Sequence, residues 1–258
     1  MKLIQSRDNP FFKQLVKLND SARQRHQSQQ TLLDGVHLLA AYLAAGKQPL
    51  HILLNATAWQ DAEITMLLQQ VGDVPITQLD DKLCAELSSL KTPTGLFTLI
   101  DLPQPVQAKS QFALLLESIQ DPGNLGSIIR SAAAAGCDAL YLSSECADAW
   151  SPKVLRAAMG GHFVLDIYEQ QPLIDIATQF EGSILASSLQ ATQSLYDCDL
   201  HGKLALLMGN EGAGLSAALC KLATQTFIIP MPGKMESLNV AAAAAVCLFE
   251  AVRQRVSR

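Results

Sequence analysis

Three segments of the chain combine residue types able to hold or activate a ligand. The first, QDPGNLGSIIR (120–130), opens with turn formers and enters a helix of small residues that carries one charge, Arg130. On such a helix a guanidinium either snorkels to solvent or is held for a phosphate or carboxylate. Asn124 lies in the turn before that helix, where it is a candidate cap. The second segment, MGNEGAGLS (208–216), is a glycine turn with one carboxylate, Glu211. That carboxylate is either exposed and idle or placed to orient a substrate or an arginine. The third, IPMPGKMESLNV (229–240), offers Ser237 as an N-cap candidate and Asn239 in the first turn of a helix, where a carboxamide faces a ligand. Gly209, Gly212 and Gly214 give G-x-x-G-x-G, not G-x-G-x-x-G, and they come late in the chain; G-x-x-x-x-G-K-[ST] does not occur. This spacing disfavours a dinucleotide oxidoreductase or a P-loop enzyme. Taken singly, each glycine suits a tight turn.

Each segment directly follows a predicted strand. FALLLES (112–118), ALYLS (139–143), FVLDI (163–167), SILAS (183–187), LALLM (204–208) and TFIIP (226–230) are short apolar runs with helical patterns between them. Such runs predict a parallel sheet covered on both faces. Ligands of these sheets bind where the strands end at their carboxyl side. The N-terminal part alternates in the same way over TLLDG, VHLLAAYLAAG, LHILLN, AWQDAEITMLLQQ, VPITQL, DKLCAELSSL and GLFTLI, after a helix predicted over 9–27 with Asn9 as cap and Pro10 in its first turn. A small α/β domain over 1–100, a linker over 101–111 and a second α/β domain over 112–258 follow.

The 258 residues suffice for two domains, and 49% of them are apolar. The longest apolar run, Val240 to Phe249, falls short of the ~20 residues that span a bilayer. No signal peptide opens the chain, and a soluble cytoplasmic protein is expected. Cys84, Cys137, Cys146, Cys198, Cys220 and Cys247 form no C-x-x-C pair, so reduced thiols and no metal site are expected. The net charge of −5 argues against a uniformly basic nucleic-acid binder. Residues 1–30 nevertheless carry +4, with Lys2, Arg7, Lys13, Lys17, Arg23 and Arg25 against Asp8 and Asp20; Arg253, Arg255 and Arg258 add charge at the C-terminus. These are either a local phosphate-binding patch or solvated helix faces.

The order N-L-G-S-I-I-R, G-N-E-G-A-G-L-S and I-P-M-P-G-x-x-E-S-L-N-V resembles the SpoU/TrmH family of RNA ribose 2′-O-methyltransferases, in the SPOUT superfamily, over about 112–255. LLDGVHLLAAYLAAG and LKTPTGLFTLI are similar to that family's N-terminal substrate-binding domain, with Asp34 where the family usually has Glu. The resemblance implies a C-terminal α/β domain with a deep trefoil knot, a small ribosomal-protein-like α/β domain before it, and a homodimer. It implies methyl transfer from S-adenosylmethionine to a ribose 2′-hydroxyl of RNA. Ribosomal RNA is the first choice of substrate; the alternatives are transfer RNA, or a non-catalytic RNA-binding or assembly factor. By position, Asn124, Arg130, Glu211, Ser237 and Asn239 match polar active-site residues. Gly209, Ile229 and Leu238, with Met208 and Met231 beside them, match cofactor contacts. Arginine is too basic to be a good general base, so Arg130 is expected to hold the hydroxyl and its phosphate while Glu211, Asn239 or a water takes the proton.

Overall fold

The structure, a computed structural model, describes residues 2–88, 90, 92–105, 110–210 and 212–256. Ser89, Lys91, linker residues 106–109, Glu211 and Arg258 lie outside them. In chain order the elements are β1 (Lys2–Ile4), α1 (Pro10–Asp20), α2 (Ala22–Ser28), β2 (Gln30–Asp34), α3 (Val36–Ala44), β3 (His51–Leu54), α4 (Ala62–Leu68), β4 (Ile76–Leu79), α5 (Asp81–Leu87) and β5 (Leu96–Asp101). They continue with β6 (Phe112–Leu116), α6 (Pro122–Ala134), β7 (Ala139–Leu142), α7 (Pro152–Ala158), β8 (Asp166–Tyr168), α8 (Leu173–Gln179), β9 (Ser183–Ser187), β10 (Leu204–Met208), α9 (Ala217–Leu222), β11 (Gln225–Phe227) and α10 (Val240–Val256). No helix among the described residues is long and apolar enough to cross a membrane. All six cysteines are free.

The chain divides into two compact units: Met1–Pro103 with Trp150–Phe163, and Gln104–Ala149 with Val164–Arg258. The first is built on a mixed sheet in the order β1-β4-β3-β5-β2, in which only β5 runs antiparallel to its neighbours. Phe12, Leu15 and Leu18 of α1 bury against Leu32, Leu53, Leu79 and Phe97 of the sheet. Asn9 caps α1 as expected, its side chain accepting from the amides of Phe11 and Phe12 at 2.9 and 3.3 Å. The helix predicted over 9–27 is two helices. Ser21 is extended (φ −127°, ψ 113°) and starts α2 by accepting from Gln24. Asn19, Asp20 and Ser21 form a poor helical run, because their side chains compete for backbone groups. Arg25 closes the break. It is only 3% exposed, and its Nη1 donates to the carbonyls of Leu18 and Asn19. It therefore leaves the candidate phosphate-binding set, and Lys13 is already paired with Asp8 at 2.7 Å.

The second unit holds an all-parallel sheet in the order β11-β9-β10-β6-β7-β8. SILAS and LALLM form strands over their full predicted lengths. Alternate residues fill opposite faces. Ala113, Leu115, Ala205 and Leu207 pack with Leu173, Ala177 and Leu219 on one side, and Leu114, Leu206 and Met208 are equally buried on the other. Two predicted strands shift. FVLDI is a strand only from Asp166 onward, because Met159 and Gly160 take positive φ (50° and 91°) and lead into a 3-10 turn over Gly161–Phe163. Its apolar residues Phe163 and Leu165 are buried all the same. TFIIP pairs only to Phe227, and Ile228 instead bridges Ser194.

Replacing Arg25 by Ala leaves two carbonyls at the α1–α2 break without their donor. We expect a loss of about 2 kcal/mol in urea unfolding, and no comparable loss on replacing exposed Lys17 by Ala. An unchanged midpoint for Arg25→Ala would contradict this role.

Candidate active site

β6 and β10 are neighbours with Leu116 opposite Met208, so loops one and two leave the sheet side by side. Loop one is fixed from three directions. The Glu117 amide donates to the Met208 carbonyl at 2.9 Å. The Ser118 amide donates to Ser143 Oγ at 3.0 Å, and Ser118 itself holds a positive φ of 57°. The Ile119 carbonyl accepts from Ala147 at 2.8 Å. Asp121 then caps α6 by accepting from the Asn124 amide at 2.7 Å, with Pro122 at the first helical position. Asn124 is thus inside the first turn of α6, and Asp121 takes the capping role considered for Asn124. Leu125, Ile128, Ile129 and Ala132 face the core. Arg130 is on the exposed side, and no described carboxylate pairs with it. It lies six residues beyond Asn124, about 9 Å along the helix axis.

Loop two folds back on itself. A Cβ on Gly209 would sit 2.2 Å from the carbonyl carbon of Gly214, so only glycine permits that approach. Asn210 ties the turn: its Oδ1 accepts from the amides of Gly212 and Ala213 at 2.8 and 3.1 Å, and its Nδ2 donates to the Ser118 carbonyl at 3.0 Å. The Ser216 amide donates to Glu117 Oε2 at 2.6 Å, and Ser216 caps α9. Met208 is buried at the strand end. Glu211, between Asn210 and Gly212, lies outside the described residues.

Loop three leaves β11 with the Ile228 amide donating to Gln193 and the Ile228 carbonyl accepting from Leu195. Ile229 is 8% exposed and Met231 half-buried, while residues 232–239 are exposed, Leu238 at 42%. The loop starts three strand positions from β6, roughly 14 Å at ordinary strand spacing, and it ends beside α6. There Asn239 caps α10, its Oδ1 accepting from the amides of Ala241 and Ala242 at 2.9 and 3.4 Å. Its Nδ2 donates to Asn124 Oδ1 at 2.9 Å. Ser237, the expected cap, is instead an exposed loop residue two positions earlier.

The structure therefore joins Asn124 to Asn239 and sets Met208 and Gly209 against the start of loop one. No hydrogen bond joins Arg130 or Ser237 to that pair among the described residues. The struts Glu117, Ser118 and Asn210 are absent from the sequence-derived set. Asn210 carried a signal, since Asn beside glycines favours an Asx turn; the positive φ of Ser118 carried none. Backbone amides and carbonyls at a glycine-only turn, with apolar Met208, Ile229 and Leu238 and with exposed Lys234 the one cation of loops two and three, suit an adenosine-bearing cofactor.

These features describe a ligand site at the carboxyl ends of a parallel α/β sheet, and comparison with known proteins defines the class as a methyltransferase. The model of the SpoU rRNA Methylase family matches residues 111–249, and that of the MRM3-like substrate binding domain matches residues 9–98. The chain belongs to the SpoU rRNA methylase family. An uncharacterised tRNA/rRNA methyltransferase of Synechocystis is 36% identical over 98% of this chain and 94% of its own. RlmP of Bacillus subtilis, a 23S rRNA guanosine 2′-O-methyltransferase, is 31% identical over 96% and 98%. The solved SpoU methyltransferase AviRb of Streptomyces viridochromogenes, in complex with AdoMet, aligns with a TM-score of 0.84 at 28% identity over 97% of this chain and all of that one.

Two substitutions separate the roles of Asn239. Asn239→Ala should lower unfolding stability by about 1 kcal/mol through loss of the cap. Asn239→Asp should restore that stability, because a carboxylate also caps, yet remain defective in methyl transfer because it has no amide to donate to Asn124. Full activity in Asn239→Asp would sink the carboxamide pair as a functional contact.

Proposed function

We propose that this protein transfers a methyl group from S-adenosylmethionine to a ribose 2′-hydroxyl of ribosomal RNA in the cytoplasm. The observation that carries the site is the Asn239–Asn124 hydrogen bond, which ties the end of loop three to the first turn after loop one. In this reading residues 1–100 bind the RNA, 101–111 link, and 112–258 hold the catalytic domain. The trefoil knot and the homodimer belong to the same reading. The passage of the chain from the end of β11 at Phe227 to the Asn239–Asn124 contact at α6 supports the first. The exposed stripe of Ala242, Phe249 and Val256 on α10 supports the second.

Met208, Gly209, Ile229, Met231 and Leu238 would hold the cofactor, which when bound supplies a methyl group on a positively charged sulfonium. Apolar Met208 and Ile229 exclude water, which favours a step in which positive charge is lost. Arg130 grips the phosphate beside the target ribose and orients the 2′-hydroxyl. Asn239 does not take the proton, because its only acceptor oxygen is engaged by two backbone amides. Glu211 takes it, directly or through a water. Ser237 lines the entry on the exposed loop.

The test is transfer of labelled methyl to total RNA from cells lacking the gene, with the product digested to nucleosides. We expect 2′-O-methylated nucleoside in the ribosomal fraction. Arg130→Ala should reduce it by roughly 10²-fold. Label confined to transfer RNA would refute the substrate, and undiminished label in Arg130→Ala would refute the role of Arg130.

A further inference from the structure

One side chain of loop two, Asn210, bonds both within its own turn and across to loop one. The Asn210 oxygen shapes its own turn by accepting from Gly212 and Ala213, while its nitrogen reaches the Ser118 carbonyl 92 residues earlier in the chain. The Gly214 amide closes the same turn on the Asn210 carbonyl at 2.9 Å. The receiving carbonyl is itself fixed, because Ser118 sits at φ 57° and its amide is held by Ser143. A non-glycine residue in the left-handed region persists where its surroundings hold it there. At the far end of the loop, Glu117 accepts from the Ser216 amide. Gly212 to Leu215 therefore lie between two struts that both end on consecutive residues of loop one.

We propose that Asn210 is a positioning residue for cofactor binding: its Nδ2 strut to Ser118, more than the turn made by its oxygen, holds loop two in the shape that receives S-adenosylmethionine. Asn210 touches neither the methyl group nor the RNA in this account. The proposal rests on the cofactor assignment given above. The chemistry of the carboxamide supplies the test. Asn210→Asp keeps an oxygen for the Gly212 and Ala213 amides but loses the donor, and it sets a carboxylate against the Ser118 carbonyl. Asn210→Ala loses both functions.

Calorimetric titration of the full-length protein with S-adenosylmethionine reads the difference directly. Both variants should bind about tenfold more weakly than wild type, the equivalent of ~1.4 kcal/mol. Asn210→Asp should match Asn210→Ala, not the wild type. RNA affinity measured by filter binding should be unchanged. At saturating cofactor, kcat should return to within about twofold of wild type, as expected for lost binding and not lost chemistry. Wild-type cofactor affinity in Asn210→Asp would overturn the proposal, as would a fall in kcat without a change in affinity. If Asn210→Ala does not fold, Asn210→Asp alone decides. A wild-type protein that fails to bind the cofactor would overturn the cofactor assignment along with the strut, whereas tight wild-type binding with an unaffected Asn210→Asp would overturn the strut alone.

Discussion

The parallel register of β6 and β10 is the constraint on which the site depends. Leu116 and Met208 are paired, so the two strands end at one level and release Glu117 and Gly209 beside each other. Backbone hydrogen bonding then makes the first inter-loop contact, from the Glu117 amide to the Met208 carbonyl. Slipping β10 by one residue would turn Ala205 and Leu207 away from the core they share with Ala113 and Leu115 of β6. The hydrophobic pattern of two short strands thus sets the relative positions of polar groups far apart in sequence. Side chains refine that placement. Ser143 holds loop one, and Glu117 and Asn210 pin the two ends of loop two.

Loop three is placed from the other end, by α10. Its C-terminal turn is clamped: Arg255 donates to the carbonyls of Leu200 and Gly202 and stacks over the Phe112 ring at 4.1 Å. Gln254 accepts from the Leu200 amide and donates to the Cys198 carbonyl. Along its length α10 packs against α6, and at its start Asn239 meets Asn124. A helix fixed at both ends leaves the preceding loop little freedom in where it arrives. The same contacts reassign the basic C-terminus: Arg255 is a structural clamp, and Arg253 is spent on Glu250 in a bidentate pair at 2.7 and 2.8 Å.

Much of this was legible in the sequence because strand order and loop position follow from apolar runs and turn formers. SILAS and LALLM became strands at full length, and the three chemical segments all follow strands of the second unit. What was not legible depended on tertiary partners. Nothing local distinguishes Ser237 from Asn239 as a cap, and the choice is made where α10 begins its packing. Arg25 looked like any surface cation until the break at Ser21 gave it two carbonyls to cap. FVLDI satisfies a strand pattern, yet a left-handed pair of residues just before it turns the chain and buries the same side chains another way.

The central claim is that these three loops form one binding site for S-adenosylmethionine. Amide hydrogen exchange of the full chain, with and without the cofactor, tests it most directly. The account predicts added protection in 117–121, 208–216 and 228–241 together, and none over the amino ends of the same strands, where Ser110, Tyr141 and Lys203 line a separate cleft. Protection at that cleft, or at one of the loops without the others, would contradict the account.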